Sequence, residues 1–452
     1  MSNTASQTAP TDPPAAISFG DAFRFWLKLG FISFGGPAGQ IAIMHDELVV
    51  RKRWISERRF LHALNYCMVL PGPEAQQLAT YIGWLMHRTW GGIVAGGLFV
   101  LPSLFILIAL SWIYVAWGSV PAIAGMLYGI KPAVTAIVVF AAIRIGSRAL
   151  KNGVLWAIAA AAFIALFALN LPFPLIVIGA GITGYIGGRV SPALFATGGG
   201  HGAAADKDYG AAVIDDDTPT PAHALFNWGR VAAVLTAGLL LWGVVMALIV
   251  AEFGWSGTLA QMGWFFTKAA LLTFGGAYAV LPYVYQAAVE HYQWVTPLQM
   301  IDGLALGETT PGPLIMVVAF VGFVGGWTTQ FLGPDKLFTA AALAAAVVTW
   351  FTFLPSFIFI FLGGPLVETT HGDLKFTAPL TGITAAVVGV ILNLAVFFAY
   401  HVLWPDGMQG RFDALSALIG IAAFIALWRY KIGIMPVIGV CAAIGVAWTL
   451  LG

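Results

Sequence analysis

The chain has 452 residues, of which 60% are hydrophobic and only 9% are charged. Apolar runs near or above the roughly 20 residues that cross a bilayer recur along most of its length, so the composition predicts a polytopic membrane protein. The net charge of +1 gives no basic excess for nucleic acid, and the two cysteines, Cys67 and Cys441, lie far apart in apolar segments, which argues against a disulfide framework or a metal cluster.

In chain order, the pattern predicts a tail, two repeats and a connection between them. Residues 1–18 are rich in Ser, Thr and Pro, lack the features of a signal peptide and are predicted to form a disordered cytoplasmic tail. The first repeat is predicted over 19–190, and a polar linker rich in Gly, Asp and Pro over 191–224. A connecting transmembrane helix over 225–253 then leads to the second repeat over 258–452.

The first repeat is predicted to begin with two pairs of short helices that enter the membrane and return. The apolar runs over 19–50 and 57–87 are each interrupted by Gly or Pro near the middle. Full spans are predicted to follow, at about 91–116, 121–147, 153–169 and 172–188.

Two parts of the chain resemble each other. The stretch "FWLKLGFISFGG" from Phe25 to Gly36 aligns with "FFTKAALLTFGG" from Phe265 to Gly276, 240 residues later. Pro71-Gly72-Pro73 aligns with Pro311-Gly312-Pro313 at the same offset, and two "LPS" motifs align at an offset of 253 residues. This run of matches predicts an internal duplication.

The distribution of charge predicts how the two repeats are oriented. The loop "RKRWISERR" over 51–59 carries five Lys or Arg residues, whereas its equivalent "HYQWVTPLQ" over 291–299 carries none. Since Lys and Arg concentrate in cytoplasmic loops, these equivalent loops are expected on opposite sides of the membrane. The sequence therefore predicts an all-α polytopic membrane protein with two inverted-topology repeats, which contain broken or re-entrant helices and are joined by a linker and an extra transmembrane helix.

Each repeat carries two broken-helix elements, which are Phe34-Gly35-Gly36-Pro37 with Pro71-Gly72-Pro73, and Phe274-Gly275-Gly276 with Pro311-Gly312-Pro313. Irregular backbone at membrane depth is tolerated only where protein buries it or where it lines a wet cavity. A helix that starts after such a break has free N–H groups in its first turn, at the positive end of its dipole. Together they make a binding site for an anion. The alternative is that Gly and Pro only permit kinks or close packing. The matched positions in two repeats favour the site.

Two intramembrane lysines occupy equivalent positions. Lys28 and Lys268 each lie six residues before a Phe-Gly-Gly element, in otherwise apolar segments. A cation inside the membrane indicates a pathway or a binding role, but a lysine near the start of its helix can also extend to the interface. The pattern does not separate these two interpretations. Lys131 is an additional cation candidate.

The candidate proton carriers are two carboxyl groups without symmetry. Glu74 follows the first Pro-Gly-Pro, whereas Glu308 precedes the second. A carboxyl group in a poorly hydrated cavity can carry a proton during transport. Glu74 can alternatively cap its helix, so Glu308 is preferred. Other polar side chains on these elements are expected to be members of a hydrogen-bonded network; they are His62, Asp302, Gln76 and Gln77.

The sequence has no GxxxxGK[ST] motif for ATP hydrolysis, and no HExxH or GxSxG motif of common hydrolases. It therefore predicts neither an enzyme nor a bound cofactor. The driving force for transport would then be an ion gradient or the gradient of the substrate itself.

Five motifs resemble those of the chromate ion transporter family in its long two-domain form; they are "FGGPAGQIAIMHDELV", "RKRWISERRF", "LPGPEAQQLATYIGW", "TFGGAYAVLPYV" and "GLALGETTPGPLI". The resemblance runs from about Phe19 to the C-terminus. It implies an inner-membrane carrier that exports chromate, with the proton-motive force as its driver and sulfate as a related anion. By this resemblance, the Phe-Gly-Gly and Pro-Gly-Pro elements, Pro37 and Glu74 belong to the site. Pro37 is replaced by Ala277 in the second repeat, so the two Phe-Gly-Gly ends need not be equivalent.

The leading hypothesis is a proton-coupled efflux carrier of chromate in the bacterial inner membrane, with its N-terminus in the cytoplasm. The broken helices and Lys28 with Lys268 would bind the oxyanion, and Glu308 or Glu74 would exchange the proton. The alternatives are an importer or exchanger of sulfate or another oxyanion and, more distantly, a membrane-embedded enzyme. The expected partners are chromate, sulfate, protons and the lipid bilayer, and a homodimer is one candidate for the oligomeric state.

Overall fold

The computed structural model describes residues 14–34, 36–195, 209–274, 276–369 and 377–451. Over these residues the chain forms 17 α-helices, and its only β-pairing there is an isolated bridge between Ile55 and Ile214. Seven of the helices described are long and apolar enough to cross a membrane. The predicted all-α polytopic fold is confirmed. Most of the predicted tail, and 196–208 of the predicted linker, lie outside the described residues.

The first repeat contains seven helices, and a short eighth helix begins the linker. These are α1 (Phe19–Ile32), α2 (Gly36–His45), α3 (Glu57–Cys67), α4 (Glu74–Trp117), α5 (Pro121–Ala149), α6 (Gly153–Phe167), α7 (Phe173–Val190) and α8 (Pro192–Phe195).

A single helix, α9 (Trp228–Phe253), connects the linker to the second repeat. The helices of the second repeat are α10 (Thr258–Leu271), α11 (Ala277–Tyr285), α12 (Pro297–Thr309), α13 (Val317–Thr329), α14 (Leu337–Thr369), α15 (Thr377–Leu403), α16 (Ala414–Trp428) and α17 (Ile434–Leu451).

The same irregular features recur in the same order in both repeats. α1 and α10 each end at a Phe-Gly-Gly break, where Gly36 has a φ of 71° and Gly276 a φ of 93°. The next helix in each repeat, α2 or α11, ends in a turn of π-helix, over Asp46–Arg51 and Gln286–His291. Because glycine alone adopts positive φ freely, the glycines of the two motifs predict these breaks from the sequence.

α3 and α12 begin at equivalent side-chain caps. The Ser56 hydroxyl accepts the N–H of Arg59, and the Thr296 hydroxyl accepts the N–H of Gln299, each at 3.2 Å. Such caps satisfy N–H groups that the first turn of a helix leaves free. Both helices end just before a Pro-Gly-Pro element, since proline has no N–H for the helical ladder.

α4 consists of two helical arms joined at a sharp turn. His87 and Arg88 have non-helical backbone angles, with a φ of 57° at Arg88. A Cβ on Gly83 would lie 2.5 Å from the carbonyl oxygen of Gly91, so the arms are antiparallel and approach closely through small residues. In the second repeat, α13 and α14 form the equivalent hairpin, with Gln330 in the left-handed conformation after α13.

The second arm of α4 and its equivalent, α14, pack against each other in opposite directions. A Cβ on Gly92 would lie 2.7 Å from the ring of Phe361, and one on Gly96 would lie 2.6 Å from the ring of Phe357. Residue numbers therefore rise along α4 as they fall along α14. Equivalent helices that run antiparallel in one bundle are the geometry expected of inverted repeats.

The interior of the bundle is built from the broken elements and the helices that cover them. In the most apolar windows of α5, α14 and α15, 61% of the residues are buried, against 17% for α9 and 22% for α17. The exposed side chains of α9 include Leu239, Leu240 and Leu248. A helix that is apolar on its exposed face suits contact with lipid, so α9 and α17 lie at the periphery.

Candidate functional site

Each Pro-Gly-Pro loop binds to the Phe-Gly-Gly break of the opposite repeat. The N–H of Gly72 donates to the carbonyl oxygen of Thr273 at 2.7 Å, and the N–H of Gly312 donates to the carbonyl oxygen of Ser33 at 2.7 Å. Thr273 and Ser33 directly precede the two Phe-Gly-Gly elements and lie 240 residues apart. The two hydrogen bonds are therefore reciprocal, and we refer to this arrangement as the crossed breaks.

Both loop glycines also pack against a serine on a long helix of the other repeat. Gly72 has a φ of 132°, and a Cβ there would overlap the hydroxyl of Ser356 on α14. Gly312 has a φ of 109°, and a Cβ there would lie 2.7 Å from Cβ of Ser103 on α4. Ser103 and Ser356 are the serines of the two "LPS" motifs. Each Pro-Gly-Pro loop thus meets the "LPS" serine of the other repeat.

Glu308 links the second Pro-Gly-Pro loop to the second Phe-Gly-Gly break. Its side chain is 4% exposed, and its carboxylate accepts a hydrogen bond from the hydroxyl of Tyr278. Tyr278 lies two residues after Gly276, and Glu308 lies three residues before Pro311. The second Phe-Gly-Gly and the second Pro-Gly-Pro are therefore joined, so all four breaks meet in one region.

Several buried polar atoms around the crossed breaks have no hydrogen-bond partner among the described residues; they are Oε1 of Gln40, Gln76 and Gln77, and Oγ of Ser103 and Ser356. The amide nitrogen Nε2 of each glutamine, in contrast, donates a hydrogen bond. Nε2 of Gln40 donates to the carbonyl oxygen of Gly312 at 2.5 Å, and Nε2 of Gln77 donates to that of Pro71 at 2.8 Å. Because an unpaired buried polar atom costs free energy, these atoms indicate bound water or a polar ligand.

Helices begin at the crossed breaks without side-chain caps. α4 follows Pro73 and α11 follows Gly276, and no side chain of the described residues bonds to their first-turn N–H groups. Glu74 is the first residue of α4 and does not cap it, contrary to the alternative role that its position suggested. These N-termini leave donors and a positive dipole end for an anion. The N–H groups of Gly72 and Gly312 are not among those donors, since they are bonded between the repeats.

The two lysines at equivalent positions have different surroundings. Lys28 is exposed on α1 and has no hydrogen bond or ion pair with any described residue. Lys268 is partly exposed, and its Nζ lies 5.8 Å from the centroid of the Trp264 ring. This geometry suits side chains that extend toward the membrane interface. Gly35 and Gly275, the middle residues of the two Phe-Gly-Gly motifs, lie outside the described residues.

Sequence reasoning missed Gln40, Ser103 and Ser356 as site residues. The serines carried a signal, because both belong to the "LPS" motifs that define the repeat. Gln40 gave little signal in the sequence. Its counterpart in the second repeat is Val280, and a single amide side chain in an apolar helix can have many roles. Among the described residues, no group of three or more His, Cys, Asp or Glu side chains could hold a metal ion.

Comparison with known proteins gives matches along nearly the whole chain. The family model described as "Chromate transporter" matches residues 20–185 and 260–446. The chain is 33% identical over 445 residues to a chromate transport protein of Pseudomonas aeruginosa, covering 96% of this chain and 93% of the relative. It is 28% identical over 430 residues to a chromate transport protein of Cupriavidus metallidurans, covering 94% and 90%. A probable chromate transport protein of Synechococcus elongatus is 27% identical over 416 residues, covering 92% and 91%. No solved structure matches the chain.

Proposed function

Because the chain belongs to the chromate transporter family, we propose that it is a secondary active transporter that exports chromate across the bacterial inner membrane in exchange for protons and so confers chromate resistance. The observation that carries this proposal is the set of crossed breaks, where uncapped helix N-termini and unpartnered polar side chains converge. The names of the relatives support chromate as the cargo.

In this proposal, the oxyanion binds to first-turn N–H groups of α4 and α11 and to the hydroxyls of Ser103 and Ser356. These donors are neutral, and the helix dipoles supply positive potential without a buried cation. The amide oxygens of Gln40, Gln76 and Gln77 only accept hydrogen bonds, so they would hold water molecules that bridge to the oxyanion.

The proton carrier in this proposal is Glu308, which is buried beside the site and bonded to Tyr278. The first repeat has Met68 and Ala38 at the equivalent positions. Glu74 is the alternative carrier, because its carboxyl group lies at an uncapped N-terminus where a bound dianion would oppose its ionisation. Movement of one repeat against the other would open the crossed breaks to one side at a time.

The decisive experiment measures chromate and sulfate flux in proteoliposomes with and without an imposed pH gradient. We expect chromate uptake that increases with the gradient and is competed by sulfate. Gradient-driven uptake of sulfate with no chromate flux would favour the rival function, a sulfate or other oxyanion transporter. Absence of flux for both anions would contradict the proposal and favour the more distant alternative, a membrane-embedded enzyme.

The same assay tests whether Lys28 and Lys268 bind the oxyanion. Both are replaced by Ala, separately and together, and Lys336→Ala, on an exposed turn, is the matched control. If the lysines bind chromate, the double variant raises the chromate concentration needed for half-maximal flux. Unchanged flux in the double variant would restrict binding to the helix ends and neutral side chains.

A further inference from the structure

An ion pair with a buried carboxylate links α12 of the second repeat to the first repeat. Nζ of Lys131 on α5 lies 3.5 Å from Oδ2 of Asp302 on α12, and the hydroxyl of Tyr114 on α4 donates to the same oxygen at 3.0 Å. Asp302 is 3% exposed. Its other oxygen, Oδ1, is buried and has no partner among the described residues. The sequence predicted that Asp302 is a member of a hydrogen-bonded network, and its contacts with Tyr114 and Lys131 fit that prediction, with Oδ1 alone left unpartnered among the described residues.

The charge of Asp302 is incompletely compensated. A charge-assisted N–H···O bond is typically about 2.7 to 2.9 Å long, which is shorter than the 3.5 Å between Lys131 and Asp302. A buried carboxylate that lacks full compensation is costly, and binding a proton removes that cost. The side chain of Lys131 is 23% exposed, which gives water a route toward the pair.

The surroundings of Asp302 contain few other groups that titrate. The elements packed on α12 are α4, α5, α13, α15 and α17. α13 carries no titratable side chain, and α17 carries only the thiol of Cys441. On α15, His401 bonds to the carbonyl oxygen of Phe397 on its own helix. The other titratable side chains of α5 and α15 are Tyr128, Arg144, Arg148 and Tyr400, and none of them has a hydrogen bond or ion pair with Asp302 among the described residues. Lys131 and Tyr114 are the titratable groups that contact Asp302.

The pseudo-symmetric positions, one in the first repeat and two in the second, hold no such pair. His62 corresponds to Asp302, and Val367 corresponds to Tyr114. Nε2 of His62 lies 3.0 Å from the carbonyl oxygen of Val367, so the contact between the repeats recurs there without the ion pair. Lys131 corresponds to Thr384. Only one of the two pseudo-symmetric contacts therefore has a carboxylate and its counter-charge.

We propose that Asp302 is a second proton-binding site of this transporter, distinct from Glu308 and Glu74, with Lys131 as its counter-charge and Tyr114 as its hydrogen-bond donor. This inference rests on the proposed transport function. A proton from water binds the carboxylate of Asp302 and gives the neutral acid, while Lys131 stays an ammonium group. The ionic part of the tie between α12 and the first repeat is then lost, so proton binding favours movement of α12.

The test uses the full-length protein in proteoliposomes with chromate as the probe and potassium with valinomycin to clamp the membrane potential at zero. Chromate counterflow at equal pH on both sides measures transport without a proton gradient. Chromate accumulation under a pH gradient of either sign, with a pH-sensitive dye in the lumen, measures coupled protons. The variants are Asp302→Asn, Lys131→Met and the double variant. Asp335→Asn and Lys336→Met, on an exposed turn, are the matched controls.

We expect Asp302→Asn to keep counterflow and to move one proton fewer per chromate. Since one coupled proton is worth about a tenfold concentration ratio per pH unit, chromate accumulation should fall about tenfold per pH unit. The control variants should couple like the wild type. If Asp302→Asn does not fold, the double variant, which removes both charges, should fold and show the same loss of one proton, because it leaves no uncompensated charge.

The outcomes separate the two proposals. A wild-type protein without counterflow of chromate or sulfate would overturn the transport function and the proton site with it. A wild-type protein that transports chromate, with an Asp302→Asn or double variant that retains its full proton-to-chromate ratio, would overturn the proton site alone. A purely structural role predicts a parallel loss of counterflow and coupling, and would also overturn it.

Discussion

At the scale of single residues, the backbone angle and the packing at position 312 require a glycine. Its φ of 109° strains any residue with a side chain, and Cβ of Ser103 leaves no space for a methyl group. We expect Gly312→Ala to destabilise the protein by about 2 kcal/mol or more and to reduce chromate flux. Thermal unfolding in detergent and flux in proteoliposomes would measure the two effects.

Gly97→Ala provides the control for this prediction. Gly97 lies on α4, as Ser103 does, and a Cβ there would meet nothing within 4 Å, so its replacement should be neutral or slightly stabilising. Combining Gly312→Ala with Ser103→Gly should restore part of the stability by removing the clash. Equal thermal stability of Gly312→Ala and Gly97→Ala would show that the crossed breaks are not packed as described.

The individual residues of the site were predictable only in part. Glycines at the breaks follow from their motifs, because only glycine adopts such backbone angles freely. The role of Gln40 does not follow, since its partner Gly312 lies 272 residues away. The sequence left open whether Lys28 and Lys268 bind the anion or extend to the interface, and the structure places the first exposed and the second beside Trp264.

At the scale of elements, the linker packs on the first repeat. The backbone of Ile214 bonds to Trp54 and Ser56, and Nε2 of His223 donates to the carbonyl oxygen of Trp84 at 2.9 Å. Phe19, Arg88 and His223 line an open cleft of about 660 Å³ at the turn between the arms of α4. The polar composition of this segment predicted a linker and gave no sign that it packs.

The attachment of the linker should weaken in acid. Burial lowers the pKa of His223, and the charges of Arg88 and Arg230 lower it further, against the hydrogen bond to Trp84. The undocked linker therefore binds a proton more readily than the docked one, so docking is lost as pH falls below the ordinary histidine pKa of about 6.5. After correction for intrinsic exchange rates, the amides over 213–224 should be less protected from hydrogen exchange at about pH 5.5 than at about pH 7.5.

His223→Gln is the control for this pH dependence, because Gln can donate the same hydrogen bond and does not titrate. Its exchange over 213–224 should differ little between the two pH values after correction for intrinsic exchange rates. An equal acid response in the variant and the wild type would assign the effect to another group.

The breaks themselves, as elements, could be located from the sequence. Gly and Pro interrupt apolar runs at matched positions, and the structure has helix ends at each of them. Their partners could not be located in this way. Each Pro-Gly-Pro bonds to the Phe-Gly-Gly of the other repeat, and a sequence repeat is equally compatible with contacts inside each repeat.

At the scale of the whole molecule, the inverted arrangement predicts where equivalent turns lie in the membrane. Thr89 and Gln330 are exposed residues at the turns of the two equivalent hairpins. A membrane-impermeant maleimide should label Gln330→Cys in intact cells and Thr89→Cys only in everted vesicles. The unsubstituted protein is the control, because Cys67 and Cys441 are both buried. Labelling of both variants from one side would contradict the inverted topology.

The sequence by itself determined the membrane class, the duplication and the positions of the breaks, because these depend on composition, periodicity and local backbone preference. The distribution of Lys and Arg also predicted that the repeats are inverted. Only the tertiary structure decided which break meets which, that Gln40, Ser103 and Ser356 line the site, and that Asp302 faces Lys131. These contacts join residues far apart in the chain, and they form only when two antiparallel repeats pack in one bundle.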